Sequence, residues 1–388
     1  MSEHRLSSGL TLMLAAGCGA AVANLYYNQP MLAVMAQDFA GSPRIGLMPT
    51  ATQLGYALGL FLLVPLGDIF ERRKLIIGQF LLLALLLVGH ALAPTPETLL
   101  ASAFCVGMAS SVAQQIVPMA AALAEPEKRG KVIGTVMAGL LCGLLFSRTL
   151  SGFVASHWGW REMFWLVVPL ALAMAGAMAL VLPKGLTPSS KISYAEVMLS
   201  LAPIWRGERL LRLATLSQAL LFATFTSFWA ILAFHLREPH LDLGADVAGA
   251  FGLVAVVGVL AAPLAGRLAD KRGPGAVIQL GLLLAVLCWG LFAAWDGLAG
   301  MVVAVILLDF AMQSVLVSNQ HRVYVLRPEA RSRINTLFMS GMFLGGALGS
   351  GGATLVWHQA GWLGVCGYCA LLAGLAFAVN LGSRKAAD

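Results

Sequence analysis

Two charged side chains stand inside long apolar runs of the sequence, where a charge is costly. Asp309 is the only acidic residue well inside such a run, and Arg148 is the most deeply placed basic residue. An unpaired buried charge costs several kcal/mol, so each residue has reason to find a partner. We therefore predict that Arg148 and Asp309 form an ion pair, which protonation of Asp309 weakens. The alternatives are a structural acid satisfied by hydroxyls and an arginine that binds carbonyls or attracts substrate.

Uncharged polar and aromatic side chains recur in four apolar runs. They are Asn24, Tyr27 and Asn28; Ser110, Gln114 and Gln115; Gln218, Phe222, Phe225 and Trp229; and Met312, Gln313, Asn319 and Gln320. On a helix, the first three share one face at spacing i, i+3 and i+4. Together these side chains would line a cavity suited to neutral or weakly polar organic molecules. Each amide could instead join helices by hydrogen bonds, and the aromatic rings could serve packing alone.

The composition places these residues in a membrane. Of 388 residues, 59% are hydrophobic and 11% are charged, and the mean hydropathy is +0.83. A soluble domain carries about 25% charged residues, so we predict an integral membrane protein surrounded by lipid. The net charge of +7 is attributed to basic cytoplasmic loops, and no nucleic-acid partner is predicted.

Twelve apolar segments are long enough to cross a bilayer, which takes roughly 20 helical residues. They are predicted near 10–36, 46–68, 75–93, 98–124, 131–156, 162–182, 212–236, 246–270, 275–294, 298–324, 333–357 and 361–381. With both termini cytoplasmic, 20 of the 25 lysine and arginine residues fall on the cytoplasmic side. This asymmetry predicts a multi-pass protein of the bacterial inner membrane. Arg148 and Asp309 would then lie at comparable depths, roughly 12 and 16 Å from the outer face.

An internal repeat divides the chain. A shift of 202 residues aligns Asp68 with Asp270, Pro126-Glu127 with Pro328-Glu329, Arg129 with Arg331, Gly139 with Gly341, Gly143 with Gly345, and Gly159-Trp160 with Gly361-Trp362. One constant offset across several helices and loops is the signature of a repeated unit. We predict two six-helix halves, 1–182 and 210–388, joined by a polar, basic cytoplasmic linker at 183–209.

Two loops carry related motifs, Gly67-Asp68-x-x-Glu71-Arg72-Arg73-Lys74 and Gly266-Arg267-Leu268-Ala269-Asp270-Lys271-Arg272-Gly273. They resemble the loop signature of the major facilitator superfamily, whose plan is also two parallel six-helix repeats. The resemblance implies an all-α membrane protein with twelve transmembrane helices in two pseudo-symmetric six-helix halves. It also implies a latch that holds the halves together at the cytoplasmic side in one state. An acidic residue in such a latch can face a helix N-terminus and the neighbouring basic side chains. The predicted latch residues are Asp68, Arg72, Arg73, Asp270 and Lys271, which could instead be solvated loop charges.

A narrower resemblance is carried by Asn24-Leu25-Tyr26-Tyr27-Asn28-Gln29-Pro30 and by Arg327-Pro328-Glu329-Ala330-Arg331-Ser332-Arg333. Both segments are similar to the arabinose- and purine-nucleoside-efflux branch of the drug:proton antiporters. This resemblance implies proton-coupled efflux of a small organic molecule by alternating access, with a link to drug resistance. The proton gradient is the energy source and no cofactor is needed.

The resemblance also concerns the arrangement of the spans. It implies that spans one, four, seven and ten line the cavity, and that spans five and ten lie close across the interface between halves. Span five keeps Gly139, Gly143 and Gly152 of the antiporter signature, with Arg148 near the expected proline. The implied protein is a monomer whose partners are a small-molecule substrate, protons and the lipid bilayer.

Other functional classes remain open at this point. Uptake of a sugar or nucleoside, proton-coupled or facilitative, is the first alternative, and a non-transporting receptor or scaffold is another. The sequence lacks GxxxxGK[ST], HExxH and GxSxG motifs, so neither an ATP-driven pump nor an enzyme is predicted. No metal site is predicted at the outer connection between spans seven and eight, because its candidate ligands have no recognised spacing. These are His235, His240, Asp242 and Asp246.

Overall fold

The structure is a computed structural model that describes residues 8–125, 127–184, 193–260, 273–327 and 330–384. Within these ranges, side chains are described except at 255–260 and 383–384. All the regular secondary structure of the described part is helical, which confirms the predicted fold class.

The described residues of the first half form eight α-helices. They are α1 (Ser8–Ala23), α2 (Asn28–Asp38), α3 (Met48–Leu62), α4 (Arg72–Ala91), α5 (Pro96–Ser110), α6 (Ala113–Leu123), α7 (Arg129–His157) and α8 (Trp160–Val181). Short 3-10 helices, Pro43–Leu47 and Val64–Asp68, precede and follow α3. Since α1 with α2 and α5 with α6 each form one interrupted apolar segment, these helices make six candidate membrane spans.

The remaining helices follow the linker. They are α9 (Tyr194–Gly207), α10 (Arg209–His235), α11 (Ala245–Leu260), α12 (Pro274–Ala294), α13 (Leu298–Tyr324) and α14 (Arg331–Arg384). Gly361 breaks α14 into two arms, with φ 58° and ψ −156°. The eighth predicted span, 246–270, is described only over α11. With α14 counted as two arms, the described helices occupy all twelve predicted positions.

The first span is not the continuous helix that was predicted for 10–36. Pro30 has no N–H to donate to the carbonyl of Tyr26, and residues 24–27 form turns between α1 and α2. The amides of residues 24–26 bond to carbonyls three residues back, as in a 3-10 turn. This tighter winding changes which side chains of the segment share a face.

Large apolar side chains point outward on many helices. The exposed fractions of Leu85, Leu180 and Leu348 are 68%, 89% and 66%. Exposed apolar surface on this scale is stable when hydrocarbon, rather than water, surrounds it. The outward faces therefore agree with a multi-pass membrane protein.

Helices within each half approach at backbone distance through glycine. A Cβ on Gly143 of α7 would overlap the carbonyl oxygen of Gly19 on α1. A Cβ on Gly345 of α14 would likewise overlap the carbonyl oxygen of Ala219 on α10. Because a shift of 202 residues relates Gly143 to Gly345, the same close contact recurs in both halves.

Among the described residues, three hydroxyl-mediated hydrogen bonds join the halves, and we call them the hydroxyl contacts. The oxygens of Thr50 and Ser350 are 2.9 Å apart, Thr354 Oγ1 donates to Gly46 O at 2.9 Å, and Thr149 Oγ1 donates to Gly249 O at 3.1 Å. They involve the beginning of α3, the end of α7 and the part of α14 that approaches Gly361. All three therefore lie at the end of the bundle opposite the Arg72 loop and the beginning of α7.

The α1–α7 contact predicts that one added methyl group lowers stability at Gly143 but not at a position with open space around it. Gly143→Ala forces two backbones apart, and overpacking of this kind costs about 1–3 kcal/mol. Gly89→Ala, on an exposed face of α4 with open space around the new Cβ, is the matched control and should be neutral or slightly stabilising. Thermal unfolding in detergent should show a lowered midpoint for Gly143→Ala alone; equal midpoints would contradict the close contact.

Candidate substrate and proton site

Arg148 occupies the meeting point of three helices. Its side chain is fully buried on α7, and its Nε donates a 2.8 Å hydrogen bond to Gln29 Oε1 on α2. The guanidinium carbon lies 3.7 Å from the ring centroid of Trp229 on α10 and 4.6 Å from that of Tyr26. Arg148 thus contacts both halves of the chain.

The outer nitrogens of Arg148 lack partners. Nη1 and Nη2 are buried, and no group among the described residues accepts a hydrogen bond from either atom. The rings of Trp229 and Tyr26 compensate part of the lost hydration, because a desolvated cation–π contact contributes about 2 kcal/mol. The remaining N–H groups can bind a hydrogen-bond acceptor that enters the site.

Asp309 supplies the opposite charge from the second half. It lies on α13 with 3% of its surface exposed, and its Oδ2 is buried without a hydrogen-bond partner among the described residues. Arg148, on α7 of the first half, is the side chain that was predicted to pair with Asp309. The structure nevertheless contains no hydrogen bond or ion pair between them. The predicted direct pair is thus not formed in this conformation, since the guanidinium lies on Trp229 and bonds to Gln29.

The aromatic residues predicted on span seven form a continuous ladder. Phe222 stacks on Phe225 with ring centroids 5.8 Å apart, and Phe225 meets Trp229 edge-on at 6.3 Å. Phe343 of α14 extends the ladder to Tyr56 of α3, through contacts of 5.1 Å to Phe222 and 4.5 Å to Tyr56. The ladder therefore runs from the interface of α3 and α14 to the Arg148 guanidinium.

The polar residues predicted on α10 and α13 bond mainly to each other. Gln218 Oε1 accepts from Asn319 Nδ2 at 3.1 Å, and Gln218 Nε2 points at the sulfur of Met312 at 3.5 Å. This small network holds α10 and α13 together. Gln313, on the same helix as Met312, is half-buried.

Two of the polar residues predicted in the first half have local structural roles. Asn24 Nδ2 donates back to Ala20 O at 2.8 Å, and Ser110 Oγ donates to Val106 O at 2.7 Å. Both bonds stay within one helical segment.

The remaining predicted residues of that half link segments. Asn28 Nδ2 donates to Thr52 Oγ1 at 2.9 Å, Gln114 Nε2 donates to Tyr56 OH at 3.3 Å, and Gln115 Nε2 donates to Leu63 O at 2.7 Å. Tyr27 is also buried. Because Asn24 bonds within α1 while Asn28 reaches α3, the turn at 24–27 separates residues that the predicted continuous helix placed on one face.

Three residues of the site are not apparent from the sequence pattern. Tyr26 and Gln29 contact Arg148 directly, and both belong to the segment 24–30 that carried the family resemblance. Gln53 on α3 is 1% exposed, and neither its Oε1 nor its Nε2 has a hydrogen-bond partner among the described residues. Helical spacing could not identify Tyr26 and Gln29, because the turn ahead of Pro30 brings them inward.

The loop residues predicted as a latch act within the first half. Arg72 Nη2 binds Asp68 Oδ1 at 2.8 Å, and Arg72 Nε donates to Gly67 O at 2.9 Å. Arg73 Nε donates to Leu182 O at 3.0 Å, and its Nη2 donates to Ala179 O at 2.6 Å, at the end of α8. Asp270 and Lys271 lie outside the described residues, so a latch between halves stays a prediction.

A large apolar cavity opens near the linker helix α9. It has a volume of about 600 Å³ and is bounded by α3, α5, α9 and the first arm of α14. Its walls include Phe61, Phe104, Trp205 and Leu337. Helices of both halves therefore line one apolar cavity at the end opposite the hydroxyl contacts.

The Arg148–Gln29 bond predicts a rescue experiment. Gln29→Leu leaves a buried guanidinium without its acceptor, which costs about 1–3 kcal/mol. Gln29→Glu restores an acceptor and adds an opposite charge. The thermal unfolding midpoint in detergent should be lower for Gln29→Leu than for the wild type, and equal or higher for Gln29→Glu. An unchanged midpoint for Gln29→Leu would contradict the geometry.

Comparison with known proteins is consistent with this architecture. The family described as Major Facilitator Superfamily matches residues 12–350. The chain is 39% identical over 384 residues to the uncharacterized transporter YgaY of Escherichia coli O157:H7, covering 98% of this chain and 95% of that protein.

Two solved structures share the fold. A bacterial homologue of the human lysosomal transporter Spinster, inward-facing and occupied, superposes with a TM-score of 0.76 at 15% identity, covering 97% of both chains. The nucleoside transporter NupG, solved as a point mutant, gives a TM-score of 0.75 at 14% identity, covering 97% of this chain and 98% of the other. The twelve-position helical fold and the family match together establish that this chain is a transporter of the major facilitator superfamily and not an enzyme.

Proposed function

We propose that the protein exports a small neutral or weakly polar organic molecule in exchange for protons. The observation that carries this proposal is a buried carboxylate, Asp309, without a hydrogen-bond partner at Oδ2, opposite the incompletely bonded guanidinium of Arg148. The drug:proton antiporter resemblance of the sequence gives the same direction of transport. The site has both donors and an acceptor available, which suits a substrate with hydroxyl, carbonyl or N–H groups.

Two events relieve the free-energy cost of the Asp309 charge. One is proton binding, and the other is contact with a donor such as Arg148 or a substrate N–H or O–H. A substrate that donates to Asp309 favours the charged carboxylate and so promotes proton release. Reciprocally, proton binding weakens the hold on the substrate. This mutual exclusion is the thermodynamic basis of antiport.

Arg148 connects the proton site to conformational change. Its guanidinium lies on Trp229 of the second half while its Nε bonds to Gln29 of the first. A charged Asp309 competes for the same cation, and its neutralisation leaves Arg148 with Trp229. The balance between these contacts would bias the equilibrium between two arrangements of the halves.

The proposed units are the six-helix halves 1–182 and 210–388, moving about the linker 183–209. We place the protein in the bacterial inner membrane as a monomer, with both termini and the Asp68–Arg72 loop cytoplasmic. The hydroxyl contacts then close the outer end, and the apolar cavity lies on the cytoplasmic side. The Spinster homologue, solved facing inward, supports this assignment of the conformation.

The proton role of Asp309 predicts a specific loss of coupling. In proteoliposomes containing a pH-sensitive dye, candidate compounds added one at a time should evoke proton movement with the wild type. Asp309→Asn cannot exchange the proton and should abolish this movement. Asp242→Asn, which changes an exposed carboxylate, is the control and should behave as wild type.

Three results of this experiment contradict parts of the proposal. Full coupling between substrate and proton movement in Asp309→Asn would mean that another residue binds the proton. Substrate flux without protons would make the protein a facilitator. Proton-driven uptake, rather than export, would reverse the direction and favour sugar or nucleoside import.

The hydroxyl contacts predict that a disulfide formed at this end would block transport reversibly. In a background without the six native cysteines, Thr50→Cys with Ser350→Cys places two sulfurs where oxygens lie 2.9 Å apart, close enough for a disulfide. Oxidation should hold the outer end closed and stop transport, and reduction should restore it.

The control for this disulfide lies within one half. Thr95→Cys with Thr98→Cys replaces hydroxyl oxygens that are 3.2 Å apart, and its oxidation should leave transport unchanged. Undiminished transport by the oxidised Thr50–Ser350 pair would show that this end does not open.

A further inference from the structure

A second polar cluster lies at the outer end of α10, six residues beyond Trp229. His235 is fully buried, and both of its ring nitrogens face carboxylates. Nδ1 is 2.6 Å from Glu238 Oε2, and Nε2 is 2.7 Å from Asp296 Oδ1. His240 Nε2 approaches the other oxygen of Asp296, Oδ2, at 3.5 Å. Two histidines therefore meet at one carboxylate, and a second carboxylate lies on the far side of His235.

The imidazole of His235 is held in a fixed orientation. Its ring stacks on Trp362 with centroids 4.0 Å apart and planes 8° from parallel, and Trp357 meets it edge-on at 6.0 Å. The two flanking carboxylates complete the enclosure. A side chain held this firmly presents Nε2 toward Asp296 and nowhere else.

The hydrogen-bond count of His235 leaves one contact unexplained. A neutral imidazole has one N–H donor and one lone pair. If Nδ1–H donates to Glu238, the Nε2 lone pair faces a carboxylate oxygen, and this contact is repulsive. A positive charge between Nε2 and Asp296 removes the repulsion, and either a second proton or a metal ion can supply it.

The arrangement of the other groups favours a metal ion. His235, His240 and Asp296 each offer one ligand atom, and these atoms all lie within 4.8 Å of one another. Bonds of about 2.0–2.2 Å in tetrahedral geometry separate two ligand atoms by roughly 3.3–3.5 Å. The separation of 3.5 Å between His240 Nε2 and Asp296 Oδ2 matches that value. The separation of 2.7 Å between His235 Nε2 and Asp296 Oδ1 is shorter, and the exposed side chain of Asp296 can shift to lengthen it.

We propose that His235, His240 and Asp296 bind a divalent transition-metal ion such as Zn²⁺. Two imidazoles and one carboxylate are typical of zinc, whereas calcium and magnesium prefer oxygen ligands alone. Glu238 accepts the Nδ1 proton of His235 and fixes the tautomer that presents Nε2 to the metal, as outer carboxylates do in metal sites. The bound ion would join the end of α10 to the α12–α13 connection, independently of the proton site.

The residues that cluster in the tertiary structure differ from the four candidate ligands that lie close together in the sequence. Asp242 and Asp246 follow His240 in the chain but are not members of the cluster, and Asp296 arrives from 56 residues beyond it. Sequence spacing therefore contained no recognisable ligand pattern, and the expectation of no metal site rested on that spacing.

Zn²⁺ binding by the purified, tag-free, chelator-treated protein tests the proposal. Calorimetric titration should give one Zn²⁺ per chain, and saturating Zn²⁺ should raise the thermal unfolding midpoint. His240→Ala and Asp296→Asn, at partly exposed positions that should not prevent folding, should each weaken Zn²⁺ binding at least tenfold. Glu238→Gln should weaken it about 10–100-fold through the tautomer of His235.

The control is His157→Ala, which removes an exposed histidine at the end of α7 and should leave Zn²⁺ affinity unchanged. Visible absorption of four-coordinate Co²⁺ in the wild type, lost in His240→Ala, would support the ligand set. Absence of saturable Zn²⁺ binding, or binding that survives both His240→Ala and Asp296→Asn, would overturn the proposal and leave His235 as a doubly protonated imidazolium between two carboxylates.

Discussion

A charged guanidinium withdrawn from water is the constraint on which the centre of this transporter depends. Arg148 is fully buried in a bundle whose outer surface is apolar, so the protein itself must stabilise the cation. It does so with one amide oxygen and two aromatic faces, contributed by both halves. Those contacts leave two nitrogens unused and hold Arg148 away from Asp309. The cation and the carboxylate are both incompletely stabilised, so each gains free energy when it binds a further partner.

The two halves meet through two kinds of contact. Within each half, glycine lets helices touch at the backbone, as Gly143 and Gly345 do, and such contacts resist displacement because no flexible side chain lies between them. Between the halves, the contacts at one end are hydroxyl hydrogen bonds such as those of Thr50 and Thr354, which are individually worth about 1 kcal/mol. The halves also meet at the backbone, since a Cβ on Gly152 of α7 would overlap the carbonyl oxygen of Ala245 on α11. The interface therefore combines close glycine contacts with separable hydrogen bonds.

Buried polar residues in this protein divide into two groups by their partners. Gln115 and Thr226 donate to backbone carbonyls of other segments and hold those segments together. Gln53, Asp309 and the outer nitrogens of Arg148 retain unused hydrogen-bonding capacity near the interface. Unused capacity costs stability, and a substrate that satisfied these groups would gain binding free energy, which is why we propose that it binds at this interface.

The sequence by itself determined the membrane location, the helical class and the superfamily, because these depend on long apolar runs, a fixed 202-residue offset and loop motifs. It also identified Arg148, Asp309 and the aromatic residues of α10, since buried charges and ring spacing are visible in one dimension. Only the tertiary structure decided which groups meet. A proline-dependent turn brought Tyr26 and Gln29, rather than the predicted face of Asn24, to Arg148, and folding placed Asp296 beside His235. Side-chain partners depend on helix packing and on local departures from 3.6-residue winding, and neither is encoded in the spacing of residues along the chain.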